Sequence, residues 1–466
     1  MEKFFKVKEH GSTVKTEILA GVTTFMAMAY ILMVNAGMFS GLETLGVSYN
    51  AIYIATALSA FIGTFLMAFL ANLPLALASG MGLNAFFVYT VCAMFGLSYA
   101  NALVLVLFDG IVFILLTVTG IRAKLFAAIP DCVRKAIPAG IGLFIAFIGL
   151  QDAGLVVPNT STCVSLASFN VFNGNATWAT VMPKLVTILA LIIISVLAVK
   201  QVRGSVLWGI LGGSVVYYIL GFTVNGFYTG FFDKMSFNPF TAFGEWADQA
   251  FLKVFTDGFD FSAYLSGHST TELVILIITT ALAFCLVDMF DTLGTLYGAC
   301  SRGDMLTEDG QVPNFEKAML SDAIATAAGA VCGTSTVTTF VESSSGINEG
   351  GRTGLTSCTT GVMFLVALFL WPLFSAIPSF ATAPALIIVG FLMMQQVTSI
   401  DWLDLTKAIP CFITIATMGF AYSISEGISF GIISYVVLHV LNGKSKEVSP
   451  LMYVLAVVFV LKYFLI

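Results

Sequence analysis

Charged residues are scarce in this sequence. Asp, Glu, Lys and Arg make up 10% of its 466 residues, and hydrophobic residues make up 58%. Soluble domains contain about 25% charged and roughly 45 to 50% apolar residues. So little charge excludes a soluble globular chain and predicts an all-α polytopic protein embedded in membrane lipid. No basic tract is present, so we expect no nucleic-acid partner.

Signals for metal and redox sites are equally sparse. The 3 histidines stand far apart, and the 8 cysteines are scattered with no C-x-x-C spacing. Neither pattern is typical of a zinc site or of a disulfide framework. We therefore predict no metal site and no cofactor, with the cysteines as small core residues.

Apolar runs dominate the rest of the chain. The first 21 residues are polar and lack the apolar core and cleavage site of a signal peptide, which predicts a retained cytoplasmic tail. About 20 apolar residues cross a bilayer, and the runs that follow predict about fourteen membrane segments. Segments 3 (Leu75–Phe95) and 10 (around Glu342) are interrupted by small and polar residues.

The basic residues test this count and give an orientation. With a cytoplasmic N-terminus, every even-numbered connection also faces the cytoplasm, and Lys and Arg should concentrate there. These connections contain Arg122, Lys124, Arg134, Lys135, Lys200, Arg203, Arg302, Lys317, Lys407, Lys444 and Lys446. The pattern predicts a multi-pass protein of the cell membrane with both termini cytoplasmic. The last apolar stretch, Leu451–Ile466, is either an interfacial helix or a further span.

Short motifs recur in the same order in the two halves of the chain. They are Thr16–Glu17 with Thr271–Glu272, Gly82–Asn84 with Gly346–Asn348, and the AIP of residues 128–130 with that of 376–378. The last pair places Gly142 on Gly390. Two halves of seven segments must have opposite orientations in the membrane. Inverted repeats with corresponding broken helices are typical of alternating-access transporters, whose site lies between the half-helix ends.

The two breaks predict facing halves of one site. In segment 3, Pro74 and nearby glycines leave a half-helix that starts near Leu83, whose free N–H groups and dipole attract electron-rich atoms. Asn84 adds a donor and an acceptor. The alternative is a glycine-packed helix crossing with Asn84 as a cap. In segment 10, Glu342 and Ser343 stand at the matching break.

Three carboxylates stand at membrane depth in this region. Asp288 and Asp291 are three residues apart in segment 8 and share one helical face, and Glu342 is the third. Acids within a membrane are costly and usually functional. We predict that one holds substrate while another carries a coupling proton; a sodium site, or Asp291 as a cap for the turn at Gly294, are the alternatives.

Such a pocket suits a flat heterocycle. Carboxylates accept ring N–H bonds, backbone amides donate to ring nitrogen and exocyclic oxygen, and a phenyl face stacks on the ring plane. The phenylalanines that are candidates for stacking are Phe25, Phe86, Phe87 and Phe340. A bare anion would be bound poorly.

Three stretches resemble a known family. VDMFDTLGTL (287–296), TTFVESSSGINEGGRTGLTS (338–357) and ASGMGLNAFF (78–87) are similar to the AzgA-like purine permeases, a branch of the nucleobase/cation symporter and nucleobase/ascorbate transporter group. The resemblance begins at GVTTFMAMAYILMVN (21–35) and covers nearly the whole chain. The wider group typically has Gln or Glu followed by Asn in segment 10, whereas Glu342 is followed by Ser343. This departure favours the purine branch over the branches that transport uracil, xanthine, urate or ascorbate.

The resemblance implies fourteen segments in two inverted repeats, divided between a core domain and a gate domain. On this chain, the implied core domain comprises residues 1–120 and 272–375, and the implied gate domain comprises residues 121–222 and 376–443. An outer loop, 223–271, and a C-terminal interfacial segment, 444–466, complete the chain.

The resemblance also implies a function for the acids. Asp288 and Glu342 match the base-binding acids, Asn84 and Gly82 belong to the facing half-site, and Asp291 matches a residue needed for transport and for proton coupling. The implied activity is proton-coupled import of adenine, guanine or hypoxanthine by a core domain that moves past a fixed gate, with sodium disfavoured. A homodimer through the gate domain is an expectation from the family alone.

Two other functions compete with this reading. A transporter of the same architecture that moves small anions is the nearest rival, but it should have neutral or basic groups in place of the three acids. An intramembrane aspartyl protease needs two acids converging from separate elements, whereas Asp288 and Asp291 lie on one helix. We therefore predict a transporter and no enzyme.

Overall fold

The described part of the protein is a bundle of apolar helices with two short two-stranded antiparallel sheets. A computed structural model describes residues 2–39, 46–119, 129–173, 176–223, 238, 240–302, 305–307 and 311–465. Within these residues, 10 helices are long and apolar enough to cross a membrane, and three shorter apolar helices accompany them.

Fourteen segments follow one another in the predicted order. They are segment 1, Val14–Met28 and Tyr30–Phe39; segment 2, Tyr49–Leu66; segment 3, Leu77–Ser79, Met81–Ala85 and Phe86–Met94; segment 4, Tyr99–Val118; segment 5, Asp131–Asp152; segment 6, Trp178–Val199; segment 7, Ser205–Thr223; segment 8, Thr270–Arg302; segment 9, Phe315–Cys332; segment 10, Val337–Thr339 and Ser343–Asn348; segment 11, Gly354–Ala367 and Trp371–Ser375; segment 12, Ser379–Met394; segment 13, Leu405–Phe420; and segment 14, Ile424–Leu441. The prediction that segments 3 and 10 are discontinuous is confirmed.

Segments 3 and 10 cross at their breaks through a two-stranded ladder. Strand β1 (Leu77–Ser79) pairs antiparallel with the strand of segment 10 (Val337–Thr339). The pairing satisfies backbone groups that would otherwise be unpaired at membrane depth. The two half-helices then begin at Met81 and at Ser343.

The structure does not support the register of one recurring motif, in which the sequence comparison paired Gly82 with Gly346. Ala78 and Thr338 stand opposite each other in the ladder, and the half-helices begin three and five residues later, at Met81 and Ser343. Neither feature places Gly82 on Gly346.

The register of segments 5 and 12 is confirmed. Pro130 and Pro378 each precede the first residue of their helix, as equivalent positions should. Gly142 and Gly390 then meet where the two helices cross. A Cβ built on Gly142 would lie 2.5 Å from the carbonyl oxygen of Gly390, so both positions require the small side chain.

The described part of the outer loop forms a folded cap. Three short helices, Thr241–Gln249, Lys253–Thr256 and Ser262–Leu265, lie over the ends of segments 2, 4, 8 and 9. Asn101 Nδ2 donates to the carbonyl oxygens of Gly258 and Asp260, at 2.8 and 2.9 Å. Most of the loop's first part lies outside the described residues. A second loop, after segment 5, contains the hairpin of β2 (Val156–Asn159) and β3 (Cys163–Leu166).

The C-terminal helix, Pro450–Leu465, lies antiparallel to segment 14. Tyr453 donates to the carbonyl oxygen of Ser445, just beyond the end of segment 14. One helix length later, Lys462 Nζ donates to Glu426 Oε1 at 2.5 Å, in the first turn of segment 14. The helix therefore packs along segment 14 from one end to the other. The two readings of this stretch, an interfacial helix and a further span, stay predictions, as does the cytoplasmic side of both termini.

The Lys462–Glu426 pair is expected to stabilise the fold because both side chains are buried, with 6% and 13% of their surface exposed. Lys462→Met leaves the Glu426 carboxylate without its cation, a change that typically costs about 3–5 kcal/mol. We expect a clearly lower unfolding midpoint for the purified protein in detergent, followed by tryptophan fluorescence. The matched control is Lys407→Met, because the Lys407–Asp404 pair is much more exposed. Equal midpoints for the two variants would contradict this account of the C-terminal helix.

Candidate functional site

A cavity of about 230 Å³ lies where the breaks of segments 3 and 10 face segment 8. One wall comes from segments 1, 3, 8 and 10. Its polar groups are Tyr30, Asp291, Thr295, Thr339 and Glu342. The opposite wall comes from segments 5 and 12 and the turn after segment 12. It consists of Pro138, Val389, Leu392, Met393, Gln395 and Gln396. The cavity is thus bounded by elements of both the predicted core and the predicted gate.

Glu342 stands immediately before the half-helix of segment 10. Its Oε1 atom accepts a hydrogen bond from the hydroxyl of Tyr30 at 2.5 Å. Its Oε2 atom has no hydrogen-bond partner among the described residues and is not enclosed by protein. One carboxylate oxygen is therefore occupied, and the other is open to the cavity.

Asp291 brings a second carboxylate to the start of the other half-helix. Its Oδ2 atom lies 3.6 Å from the position that a Cβ would take on Gly80. Gly80 directly precedes the half-helix of segment 3. That distance is an ordinary van der Waals contact, and the atom that a Cβ on Gly80 would clash with is Thr338 Cγ2, at 2.8 Å. Two acids from different elements thus line one cavity.

The half-helix of segment 3 offers backbone donors to this cavity. Its first turn closes with a hydrogen bond from Asn84 N to Gly80 O. Within the described chain, the N–H groups of Met81 and Gly82 have no acceptor, and both residues line the cavity. Unsatisfied N–H groups at a helix start, at the positive end of its dipole, attract a ligand acceptor.

The half-helix of segment 10 differs in this respect. The N–H groups of Ser343, Ser344 and Ser345 donate to the carbonyl oxygens of Phe340, Val341 and Glu342. Segment 10 therefore presents a carboxylate where segment 3 presents N–H groups. The cavity offers acceptors on one side and donors on the other.

Segment 9 fixes the strand that precedes Phe340 and Glu342. Asp322 accepts from the Thr292 hydroxyl at 2.7 Å and from the backbone N–H of Thr339 at 3.2 Å. The Thr292 hydroxyl also contacts that of Thr338 at 2.8 Å. Because Asp322 is fully buried and holds the backbone of the strand, it supports the site without lining it.

Three of the predicted site residues line the cavity: Gly82, Asp291 and Glu342. Of the phenylalanines proposed for stacking, Phe340 lines it, and Phe290 is an aromatic neighbour that the sequence did not single out. Phe25 and Phe87 do not line the cavity.

Four other predicted residues lie behind its wall. Asp288 is fully buried and accepts from the Thr326 hydroxyl of segment 9 at 3.5 Å. Asn84 Oδ1 accepts from the Ser335 hydroxyl. Ser343 Oγ accepts from Ala76 N at 3.0 Å, and the Phe86 ring packs against Phe284 with centroids 4.8 Å apart. These residues hold segments 3, 8 and 10 together, and their roles in binding stay predictions.

Sequence reasoning missed Tyr30, Thr295 and the pair Gln395–Gln396. Tyr30 is hidden in an apolar run of segment 1, where a single tyrosine gives no signal. Gln395 and Gln396 are two adjacent carboxamides at the end of an apolar segment, and that pattern could have drawn attention to them.

The cavity extends along one face of segment 8. Asp291, Gly294 and Gly298 follow one another at helical spacing and all line it. A Cβ on Gly294 or Gly298 would meet no atom within 4 Å. The cavity therefore extends from the half-helix starts along segment 8 as far as Gly298.

Among the described residues, no three His, Cys, Asp or Glu side chains are grouped so as to hold a metal ion.

Comparison with known proteins gives a family. A model described as a permease family (Xan_ur_permease) matches residues 15–430. The chain belongs to this permease family. A Methanocaldococcus jannaschii permease is 42% identical over 99% of this chain and 98% of its own length. The adenine permease AdeP of Escherichia coli is 37% identical over 99% of this chain and 95% of its own length. The guanine/hypoxanthine permease PbuO of Bacillus subtilis is 37% identical over 99% of this chain and 100% of its own length.

Two expectations from the sequence are confirmed by membership of this family. The resemblance to the nucleobase/ascorbate transporter group is correct, and the chain is a multi-pass permease and not an enzyme.

Solved structures confirm the fold class. The transmembrane domain of the cyanobacterial bicarbonate transporter BicA is similar with a TM-score of 0.59 and 17% identity, over 88% of this chain and 97% of that one. SLC26A9 is similar with a TM-score of 0.60 and 11% identity, over 92% of this chain and 66% of that one. The permease shares with them the architecture of two inverted repeats of seven segments with core and gate domains.

Proposed function

We propose that this permease imports purine nucleobases across the cell membrane. One observation carries the proposal: the free oxygen of Glu342 and the carboxylate of Asp291 share a cavity with the free N–H groups of Met81 and Gly82. A purine base has ring N–H donors and, on other edges, ring-nitrogen and exocyclic-oxygen acceptors. Phe340 and Phe290 provide aromatic surface for its flat face.

The relatives support the same class of substrate. AdeP is named as an adenine permease, and PbuO is named as a guanine/hypoxanthine permease. Both align with this chain over nearly its full length. We therefore propose adenine, guanine and hypoxanthine as the bases to test first.

Movement of the core domain past the gate domain is the proposed transport step. Glu342, Asp291 and both half-helices belong to the core, whereas the gate contributes mainly apolar side chains and two carboxamides. A displacement of the core would carry both carboxylates and both half-helices together, and the contacts exchanged would be those with the mainly apolar gate wall and its two carboxamides. The glycine crossing of segments 5 and 12 would remain within the gate.

The direction of the cavity suggests which state the protein occupies. The cavity extends along segment 8 as far as Gly298, toward the end of the helix that the distribution of Lys and Arg assigns to the cytoplasm. We propose an inward-facing state with the N-terminus cytoplasmic. A homodimer through the gate domain remains a proposal drawn from the family resemblance.

Uptake into membrane vesicles tests the proposed function. Labelled adenine, guanine, hypoxanthine, xanthine and uracil are offered with and without an imposed pH gradient, in sodium-free buffer. We expect purine accumulation that depends on the gradient, with little uracil uptake. If no base accumulates, the proposal is wrong. If accumulation depends on added sodium, the coupling ion is sodium and not the proton.

Asp291 is the proposed carrier of the coupling proton, because it faces the cavity while Glu342 is engaged by Tyr30. Asp291→Asn removes the titratable group and keeps the shape of the side chain. We expect gradient-driven accumulation to fall at least about tenfold, while equilibrium binding changes less. The measurement is uptake with a pH gradient beside binding of the same base to purified protein. Unchanged accumulation would assign the proton to another group.

Anion transport is the second candidate, because the similar solved structures include a bicarbonate transporter. That likeness concerns the fold alone at 17% identity. Two carboxylates in the cavity would repel a bicarbonate ion, particularly where water is largely excluded. Labelled bicarbonate in the same vesicles separates the two candidates.

A further inference from the structure

Tyr30 occupies an unusual place in segment 1. The first helix of the segment ends at Met28, and Tyr30 is the first residue of the second helix. The side chain is fully enclosed by protein, yet its hydroxyl is at the cavity wall. A buried phenol needs a hydrogen-bond partner. The partner here is Glu342 Oε1, at 2.5 Å.

We propose that Tyr30 is a positioning residue that fixes the Glu342 carboxyl for substrate recognition. The hydroxyl occupies Oε1 and leaves Oε2 directed into the cavity. A free glutamate side chain would sample several rotamers, and ordering it on binding would cost free energy. Tyr30 holds one of these rotamers before the substrate arrives. This inference rests on the proposed function.

The same contact limits what Glu342 can recognise. Oε1 already accepts from Tyr30, so Oε2 is the oxygen that is wholly available to the base. We infer that Glu342 meets one N–H of the purine through Oε2. The remaining hydrogen bonds must come from Asp291 and from the N–H groups of Met81 and Gly82.

A tyrosine suits this position better than a residue that can only donate. Its hydroxyl donates to an ionised carboxylate and accepts from a protonated one. The contact between Tyr30 and Glu342 therefore persists whether or not the carboxyl carries a proton. The geometry of the site is kept through a proton-coupled cycle.

Tyr30→Phe removes the hydroxyl and keeps the ring. Loss of a hydrogen bond to a charged group in a preorganised site is expected to weaken binding about tenfold. In vesicles, the KM for hypoxanthine should rise by a similar factor while the maximal rate changes less than about twofold. The unfolding midpoint in detergent is measured in parallel.

Tyr53→Phe is the matched control. Tyr53 is also fully buried, and its hydroxyl donates to the backbone oxygen of Ala367 at 2.8 Å, away from the cavity. We expect its loss to lower the unfolding midpoint and to leave the KM unchanged.

The outcomes separate this inference from the proposed function. A wild-type protein that takes up no purine would defeat the proposed function itself. Normal wild-type uptake with an unchanged KM in Tyr30→Phe would overturn the role of Tyr30 alone. An equal rise in KM in Tyr30→Phe and Tyr53→Phe would also overturn it, because the effect would then be general to buried hydroxyls.

Discussion

Glu342→Gln is expected to weaken binding of adenine, guanine or hypoxanthine at least about 100-fold, equivalent to roughly 2.7 kcal/mol. The substitution keeps the shape of the side chain and removes its charge. Tyr30 donates to one oxygen of Glu342. In the variant, that hydroxyl can donate to the amide oxygen or accept from the NH₂ group. The base loses a hydrogen bond to a charged acceptor in either case, and it meets a donor in place of an acceptor when the NH₂ group faces the cavity.

Equilibrium binding of labelled base to purified protein measures this effect. Glu349→Gln is the control, since Glu349 follows the same half-helix but pairs with Arg203 and does not line the cavity. We expect the affinity of the Glu349→Gln variant for the base to change less than about twofold, because exposed ion pairs contribute little to the free energy of folding. Affinity within about threefold of wild type in Glu342→Gln would remove this residue from the site.

Gly294→Leu is expected to abolish uptake while leaving the protein folded. Gly294 lines the cavity on segment 8, and a Cβ there would meet no atom within 4 Å. Leucine therefore fits without displacing backbone and occupies the space that a base must pass through. Leucine is also a better helix former than glycine by up to about 1 kcal/mol. Uptake should fall at least about 100-fold with an unfolding midpoint equal to or above that of wild type.

The control for this substitution is Gly244→Leu. Gly244 also lies in a helix and has open space around its Cβ position, but it belongs to the outer cap. We expect normal uptake from this variant. Wild-type uptake by Gly294→Leu would show that substrate does not pass along this face of segment 8.

The architecture was predictable because it follows from features that local sequence carries. Apolar length gives the segments, and small and polar residues mark the two breaks. The prolines before segments 5 and 12 fixed a register in which Gly142 and Gly390 coincide, and the structure brings those glycines together. Each of these inferences depends on neighbours along the chain, so one sequence sufficed.

The direction of individual side chains was less predictable. Asp288 and Asp291 are three residues apart and indistinguishable by composition, yet Asp288 contacts segment 9 while Asp291 lines the cavity. The difference arises from a rotation of about 60° around the helix, which only packing against other segments can fix. Tyr30 was missed for the same reason, because its partner is 312 positions away.

The C-terminal helix shows a different limit. Its 16 residues are short for a membrane span, so the sequence left an interfacial helix and a further span open, and it gave no partner for the one lysine inside them, Lys462. The structure pairs that lysine with Glu426 in segment 14, so its charge is neutralised within the bundle. A charge count cannot reveal a partner that lies on another helix.

A structure of the permease with bound hypoxanthine tests the central claim most directly. The account predicts the base between Glu342 Oε2 and the N–H groups of Met81 and Gly82, with Asp291 at its edge. Density for the base outside this cavity, with Glu342 and the start of the segment 3 half-helix making no contact to it, would contradict the account.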